Sequence, residues 1–472
     1  MIDLIGQWLS IPNADLRFLS FVGITVHWWI LQFSLGLLFI TVLLELIGRR
    51  YLNETYLNMS RTFSKVAAVI FAVGAATGTL SEFGLILFWP NLIAIVGKYF
   101  FYPFYLEVFA FVAEVVFVYM YVYTWDRVSP RFHLIIGIFA ALGAALSALM
   151  IVSVSTLMYL PPGLIPGYDP VTGIWAEPSF RWILPEGGSR VFTSTEAREL
   201  MLNNPERFGE ILLATVTSIG FLGLILSPPV IVDFVHALVT GYLTTTFTIL
   251  GVYAWRYLKA KNDEEKAYYM AGIKFISVIS LILITIEGYF GHLSAEIVAH
   301  YNPEKYAAIE GTTNQALSFG RLFGTEELIR FITYWNFDMH LPNWDAIPAA
   351  WRPPIFIHYI HYSKTFMGIL LGIDVLLIVL FFFVLKRNIP RLLLQINFLA
   401  PFVVQIVGTF GWIMREVGRK PWTVYGLIRV EEAVTTNVIP LWIILGVIAY
   451  ILALGFGLLF LVIFLFRKKE EP

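Results

Sequence analysis

Cysteine is absent from the 472 residues. That absence excludes disulfides, iron–sulfur clusters, thiolate-ligated haem and covalent c-type haem attachment, so any metal or haem must hang on His, Met, Glu or Asp. Charge is scarce as well. Only 14% of residues are Asp, Glu, Lys or Arg, whereas 58% are hydrophobic and the mean hydropathy is +0.74. A soluble chain of this length needs far more charge to cover its surface. The net charge of −1 leaves no basic footprint and argues against a nucleic-acid partner. A basic n-region is lacking too: Asp3, Asp15 and Arg17 precede the first apolar block, so no cleavable signal peptide is expected.

What the chain has in abundance is long apolar runs. Crossing about 30 Å of hydrocarbon takes roughly 20 residues. Nine stretches qualify, at about 19–47, 65–90, 103–125, 132–158, 230–257, 268–290, 355–385, 392–414 and 435–466. The expected fold is an all-α polytopic membrane protein, a single membrane domain over 1–472 with about nine transmembrane helices in a bundle. A tenth apolar stretch, Ile211–Leu226, is short and ends in Ser227-Pro228-Pro229, which favours a re-entrant or interfacial helix.

Alternate short loops carry the positive charge: Arg49, Arg50, Arg61 and Lys65; Arg127 and Arg131; Arg256, Lys259, Lys261 and Lys266; Lys386, Arg387 and Arg391; and the tail Arg467, Lys468 and Lys469. These are expected to be cytoplasmic, with the N-terminus outside and the C-terminus cytoplasmic. The two long loops, about 159–208 and 291–354, then face outward. Loops of that length in a compact protein are usually functional.

Ionisable residues inside a membrane are expensive, so each is a functional candidate. The first span carries His27. The third carries Glu107 and Glu114, whose spacing of seven puts both carboxylates on one helix face. The fifth opens with Asp233-Phe234-Val235-His236, the seventh holds His358, His361, Lys364, Met367 and Asp374, and the eighth ends in Trp412-Ile413-Met414-Arg415-Glu416. Haem suits this inventory. An electron-transfer haem takes two axial ligands, often His with Met, and His236 and Met367 lie near the outer ends of their spans. A reactive haem needs one ligand and an open face, for which His27 is a candidate. The plainer readings stand beside these: a lone membrane His is often a packing residue, Met is often core filler, and His358 and His361 compete with Met367. Asp374 has no evident role, and none is assigned to His133, His300 or His340.

Three segments carry a resemblance. Glu416-Val417-Gly418-Arg419-Lys420-Pro421-Trp422 resembles the E-x-G-R-x-P-W signature of cytochrome bd subunit I. Gly291-His292-Leu293-Ser294, leading to Pro303-Glu304-Lys305-Tyr306-Ala307-Ala308-Ile309-Glu310, is similar to that family's quinol-binding loop, P-x-K-x-A-A-x-E. Phe234-Val235-His236 with Gly241-Tyr242 resembles the low-spin haem helix. Weaker agreement runs through Gly74–Gly78 with Glu82-Phe83, Trp125-Asp126-Arg127 and Leu146–Leu149, collinear from His27 to Trp422.

The resemblance implies a plasma-membrane quinol:O2 oxidoreductase of prokaryotes. In it His236 and Met367 hold a low-spin haem b, Glu416 ligates a high-spin haem b, and His27 ligates the O2-reducing haem, a haem d or a b-type substitute. It further implies that Lys305 and Glu310 meet quinol and that Glu107 sits beside the O2-reducing haem. Glu114 ends a cytoplasmic proton path with Ser147 on it, Trp412 lies between haems, and Arg419 pairs with a haem propionate. Partners would be a second polytopic membrane subunit, and in some members small single-span ones. Oxygen would be reduced with cytoplasmic protons, separating charge without pumping.

Three departures from the family pattern point to a divergent branch, archaeal or thermophilic. The paired acids stand seven apart rather than eight, Thr365 and Lys364 replace the usual Arg two residues before Met367, and the usual continuation after Glu82 is missing. Three rivals remain: a superfamily member with a non-quinol donor, against which the loop 305–310 argues; a secondary transporter with paired membrane acids, which predicts inverted repeats not found here; and a haem-less paralogue, against which the retained His27, His236 and Glu416 argue.

Overall fold

The computed structural model describes residues 14–99, 101–313 and 326–435, together with 442, 446, 449, 450 and 453. The expected ninth span, 435–466, falls almost wholly outside these.

The chain opens with α1 (Ala14–Arg50), α2 (Glu54–Phe88), a short α3 (Pro90–Tyr99), α4 (Phe101–Tyr123) and α5 (Pro130–Tyr159). A loop module follows: strands β1 (Leu164–Ile165), β2 (Tyr168–Asp169), β3 (Ile174–Trp175), β4 (Ser179–Ile183) and β5 (Ser189–Thr193), then α6 (Ser194–Asn203), α7 (Pro205–Ile219) and α8 (Phe221–Ile225). The second half holds α9 (Pro228–Lys259), α10 (Asp263–Tyr301), α11 (Pro303–Glu310), α12 (Glu326–Tyr334), α13 (Ile357–Val379), α14 (Arg391–Ile396) and α15 (Ala400–Gly418). The hairpin β6 (Trp422–Val424) and β7 (Ile428–Arg429) and the turn α16 (Val430–Ala433) close it. Eight helical segments among the described residues are long and apolar enough to cross a membrane, the last being α14 and α15 taken together.

Local chemistry sets the helix starts. Asn53, Ser129 and Asn262 each accept a backbone N–H of the first turn, satisfying a donor that would otherwise be orphaned, and Pro130 sits just inside α5. In the middle of the bundle α1 packs against α2, α5 and α9, while α9 reaches α10 and α15 and α13 reaches α10 and α15. The α1–α9 seam is tight because Gly36 has no side chain. A Cβ there would lie 2.1 Å from Thr245 Oγ1 and 2.9 Å from the Gly241 carbonyl oxygen.

The turns after α1, α4, α9 and α13 gather at one end of the bundle. Arg49 and Arg61 both lie over the Trp125 ring, and Lys274 lies over Phe382. This is the basic end, and it holds a buried cluster. Glu45 accepts from Arg49 Nε at 2.6 Å and from Tyr121 Oη at 2.6 Å. His133 Nδ1 stands 2.8 Å from the same carboxylate, and its Nε2 stands 2.9 Å from the Tyr121 carbonyl oxygen. Glu45 is wholly buried. His133, unassigned from sequence, thus ties α5 to α1 and α4.

The other end carries the loop module, in which β4 pairs with β1 and β5 and seats Phe180 and Trp182 in a satellite core.

The structure revises several boundaries. Helix α10 runs to Tyr301, eleven residues into the segment read as loop 291–354, because Leu293-Ser294-Ala295-Glu296-Ile297-Val298-Ala299 keeps helical propensity after hydropathy has fallen. Ile211–Leu226 is two short helices broken at Gly220, whose φ of +78° no other residue adopts cheaply, and it is not a span. Helix α3 had no counterpart among the expected elements. The eighth span is interrupted by a 3-10 turn at Asn397–Leu399. There Asn397 Nδ2 donates to Asp374 Oδ1 at 3.0 Å, so Asp374 holds the break in place.

Candidate functional site

At the loop end, the last turns of α15 carry Trp412, Arg415 and Glu416, and Arg419 caps the helix. Arg419 is ion-paired with Glu416 across one turn. Lys305, from α11, lies across the end of α15: a Cβ on Gly418 would stand 3.0 Å from its Cε. Its ammonium is 5.8 Å above the Tyr159 ring. Burial, with the nearby Arg415 and Arg419 guanidiniums, pulls the Lys305 pKa down to about 8, against the opposing pull of Asp233 and Glu416. Asp233 accepts from Tyr159 Oη at 2.5 Å, Thr156 Oγ1 at 2.9 Å and Ser294 Oγ at 3.3 Å, knitting α5, α9 and α10. Asp233 and Arg415 carry no role on sequence grounds alone. Their intramembrane charge was the available signal.

His27 reaches this end from α1. Its Nδ1 is 3.0 Å from Thr77 Oγ1, and the Thr77 hydroxyl donates to the carbonyls of Val73 and Gly74. The hydroxyl proton being spent, Nδ1 must be the donor, which leaves the lone pair on Nε2. That is the tautomer a metal-binding histidine needs. The next residue, Trp28, stacks on Trp412 with centroids 5.8 Å apart, and Trp29 Nε1 donates to Thr409 Oγ1 at 2.9 Å. Helix α1 and helix α15 are thereby fixed to one another beside Glu416.

His236 stands on α9 with Nδ1 3.2 Å from Glu287 Oε1 of α10, close enough for an ion pair but off the line of a hydrogen bond. Glu287 is held by Thr240 Oγ1 at 2.6 Å. Met367 is half-buried on α13, and α9 and α13 both pack against α10. Of the two histidines competing with it, His358 is taken up by the loop, its Nδ1 2.8 Å from the Ile309 carbonyl oxygen, whereas buried His361 Nδ1 has no partner among the described residues.

Glu107 and Glu114 are both buried on α4, which is uninterrupted α-helix through the pair, so the spacing of seven is real and involves no bulge. Ser147 on α5 donates to Glu107 Oε1 at 3.0 Å. Gly143 brings the α5 backbone against Glu114, where an added Cβ would lie 3.3 Å from its Cα.

Helix α11 is capped by Asn302 and closed by Gly311 in the left-handed region, with φ of +63°. Its two sequence-predicted residues, Lys305 and Glu310, diverge: five positions apart on a helix they face different neighbours. Glu310 accepts from Tyr362 Oη at 2.7 Å and borders a small cleft with Thr312, Leu341 and Asn343. Burial raises its pKa above the usual carboxylate range. Glu304, missed from sequence, is buried beneath Tyr425, which donates to its two oxygens at 2.9 and 2.7 Å, and burial pushes it up to about 7.

These residues suit a haem. Two histidines are anchored or faced through Nδ1, leaving Nε2 for a metal. Buried donors without partners among the described residues (Trp412 Nε1, Arg415 Nε and Nη2, Arg419 Nε) suit the carboxylates such a group carries. Among the described residues no group of three or more His, Asp or Glu converges as a bare metal-ion site would require.

Fold and site together define a polytopic helical membrane protein whose bundle is built around single histidines and a cationic cradle at one end. A family model, cytochrome bd terminal oxidase subunit I, matches residues 16–471, and the chain belongs to that family. It is 25% identical to the putative cytochrome bd menaquinol oxidase subunit I of Bacillus subtilis (strain 168), covering 95% of this chain and 96% of that one. It is 24% identical to the cytochrome bd ubiquinol oxidase subunit 1 of the same organism, covering 94% and 91%. The fold matches the bd oxidase from Geobacillus thermodenitrificans with a TM-score of 0.78 at 23% identity, over 96% of this chain and 98% of that one. The chain is therefore a multi-pass plasma-membrane protein and a subunit of a haem-binding terminal oxidase that works with a second subunit.

Proposed function

We propose that this chain is the haem-carrying subunit of a quinol:O2 oxidoreductase that oxidises quinol at the outer face and reduces O2 to water with cytoplasmic protons, building proton motive force without pumping. The observation that carries the reading is His27, whose Nδ1 is turned to Thr77 and whose neighbours Trp28 and Trp29 contact Trp412 and Thr409 just before Glu416 and its cations; His236, with Nδ1 turned to Glu287, supports it from α9. Relatives named for menaquinol and ubiquinol support a quinol donor.

When bound, the haems (a low-spin b, a high-spin b, and a haem d or b-type substitute) supply one-electron transfer and O2 activation. His236 and Met367 would hold the low-spin group, His27 and Glu416 the high-spin pair, and Arg419 a propionate. Trp412, stacked on Trp28, would stand beside them. At the cleft, Glu310 takes a proton from quinol. Its raised pKa brings it nearer the working pH, where a general base is most effective. Tyr362 keeps that carboxylate aimed. Lys305 acts from the opposite side of α11, as a buried cation between the loop and Glu416. Glu114 and then Glu107, steadied by Ser147, pass cytoplasmic protons inward. The basic end is the cytoplasmic one, which puts the long loops and the N-terminus outside. The second subunit is a polytopic membrane partner.

The test is a reduced-minus-oxidised spectrum of the purified complex with quinol as reductant, before and after His236→Ala. The variant is expected to lose the low-spin b signal alone, together with quinol-driven oxygen uptake. Retention of that signal removes His236 from the ligand set.

A further inference from the structure

Residues 412, 415 and 419 stand at i, i+3 and i+7 and form one stripe along the end of α15 and its C-cap, Arg419. Each puts a buried donor on that stripe with no partner among the described residues: Trp412 Nε1, Arg415 Nε and Nη2, and Arg419 Nε. The carboxylates nearby are already engaged. Glu416 is paired with Arg419, and Asp233 accepts three hydrogen bonds from Tyr159, Thr156 and Ser294. Arg415 and Arg419 also act on Lys305, and Lys420 acts on Glu416, so four side-chain cations gather around Glu416 and Asp233. A guanidinium cannot shed its proton to escape burial, and a buried charge without a counter-ion is strongly destabilising. A stripe made only of donors and cations therefore calls for a ligand made of acceptors and negative charge.

We infer that Arg415 is a second carboxylate anchor for the prosthetic group, gripping a haem propionate together with Arg419. Arg415 is thus a positioning residue: it touches the rim of the haem and acts on the iron only through the charge it holds there. This rests on the haem reading above. The planar fork of Arg415 offers two parallel N–H donors, the geometry that fits a carboxylate in bidentate fashion, and a lysine there keeps the charge but not the fork.

The experiment uses the whole complex carrying Arg415→Met or Arg415→Lys, with Arg419 unaltered. Three quantities are read: haem per polypeptide, the midpoint potential of each haem, and the propionate bending modes in resonance Raman. Arg415→Met is expected to shift a propionate mode and lower the midpoint potential of one haem, because removing a nearby positive charge favours ferric iron. Arg415→Lys is expected to restore most of the potential while the propionate mode stays shifted. If Arg415→Met loses haem outright, the shifted mode in the haem-bearing Arg415→Lys variant still supports the anchor. Wild-type modes and potentials in either haem-bearing variant overturn it. A wild-type complex with no haem spectrum overturns the haem reading itself, a result visible before any variant is made.

Discussion

The two ends of this bundle each bury a cluster of charged side chains, and the clusters differ in one respect. At the basic end, Glu45, Arg49, Tyr121 and His133 use one another up: none of their buried side-chain atoms lacks a partner. At the loop end, Trp412, Arg415 and Arg419 leave buried donors unpaired beside Glu416. A closed polar network specifies a packing arrangement, whereas one with open donors is costly unless something else completes it. The first cluster is thus read as a latch between α1, α4 and α5, and the second as part of a binding site.

The sharpest way to break the contrast is at the histidines. His236→Ala should cut quinol-driven oxygen uptake by about 100-fold or more, since a lost axial ligand removes an electron carrier. An uptake rate within a few-fold of wild type contradicts the assignment. His133→Ala, at the closed cluster, should leave the haem spectrum and the turnover per folded complex unchanged.

Next in size is stability. Glu45→Ala strands His133, Tyr121 and Arg49, and removing one partner of a buried ion pair costs about 3–5 kcal/mol. The complex should unfold at a clearly lower temperature while its haem potentials hold. A potential shift without loss of stability would reverse the roles given to the two ends.

At the cleft, Glu310→Gln should lower quinol turnover by about 100-fold, the lower end of what a general base contributes, with the haem spectra intact. Tyr362→Phe should do less, because it only aims the carboxylate.

The smallest effect is a slope. Glu304 is held near pKa 7 by burial, above the ordinary value of 4.5. Between those values the folded state binds more protons than the unfolded one, so stability should fall as pH rises from about 4.5 to about 7, by about 3 kcal/mol at most. Glu304→Gln should flatten that slope. Equal slopes in thermal melts of the two proteins would place Glu304 in a more hydrated setting than its contacts with Tyr425 imply.

Much of this was legible in the sequence, for reasons that explain the rest. Apolar runs announce spans because lipid leaves no alternative partner for the backbone, and α1, α4, α5, α9 and α13 stood where hydropathy put them, while α2 begins at Glu54, eleven residues before its expected start. Hydropathy misplaced the end of α10, since a helix that leaves the membrane keeps its hydrogen bonds while its side chains turn polar. It could not foresee the break at Asn397, which depends on Asp374 from another helix. Membrane charge flagged Glu107, Glu114 and Glu416 one at a time. That Lys305 and Glu310 face opposite sides of α11, or that Thr77 selects the His27 tautomer, depends on contacts between distant segments that no local pattern records.

The most direct test of the central claim is the spectrum of the wild-type complex during oxygen uptake, with quinol as the only reductant. The account predicts haem b bands that become reduced on adding quinol, with oxygen consumed at the same time and protons released on the outer face. Haem bands that stay oxidised under quinol yet reduce with dithionite would contradict it, leaving the fold in place and the donor wrong.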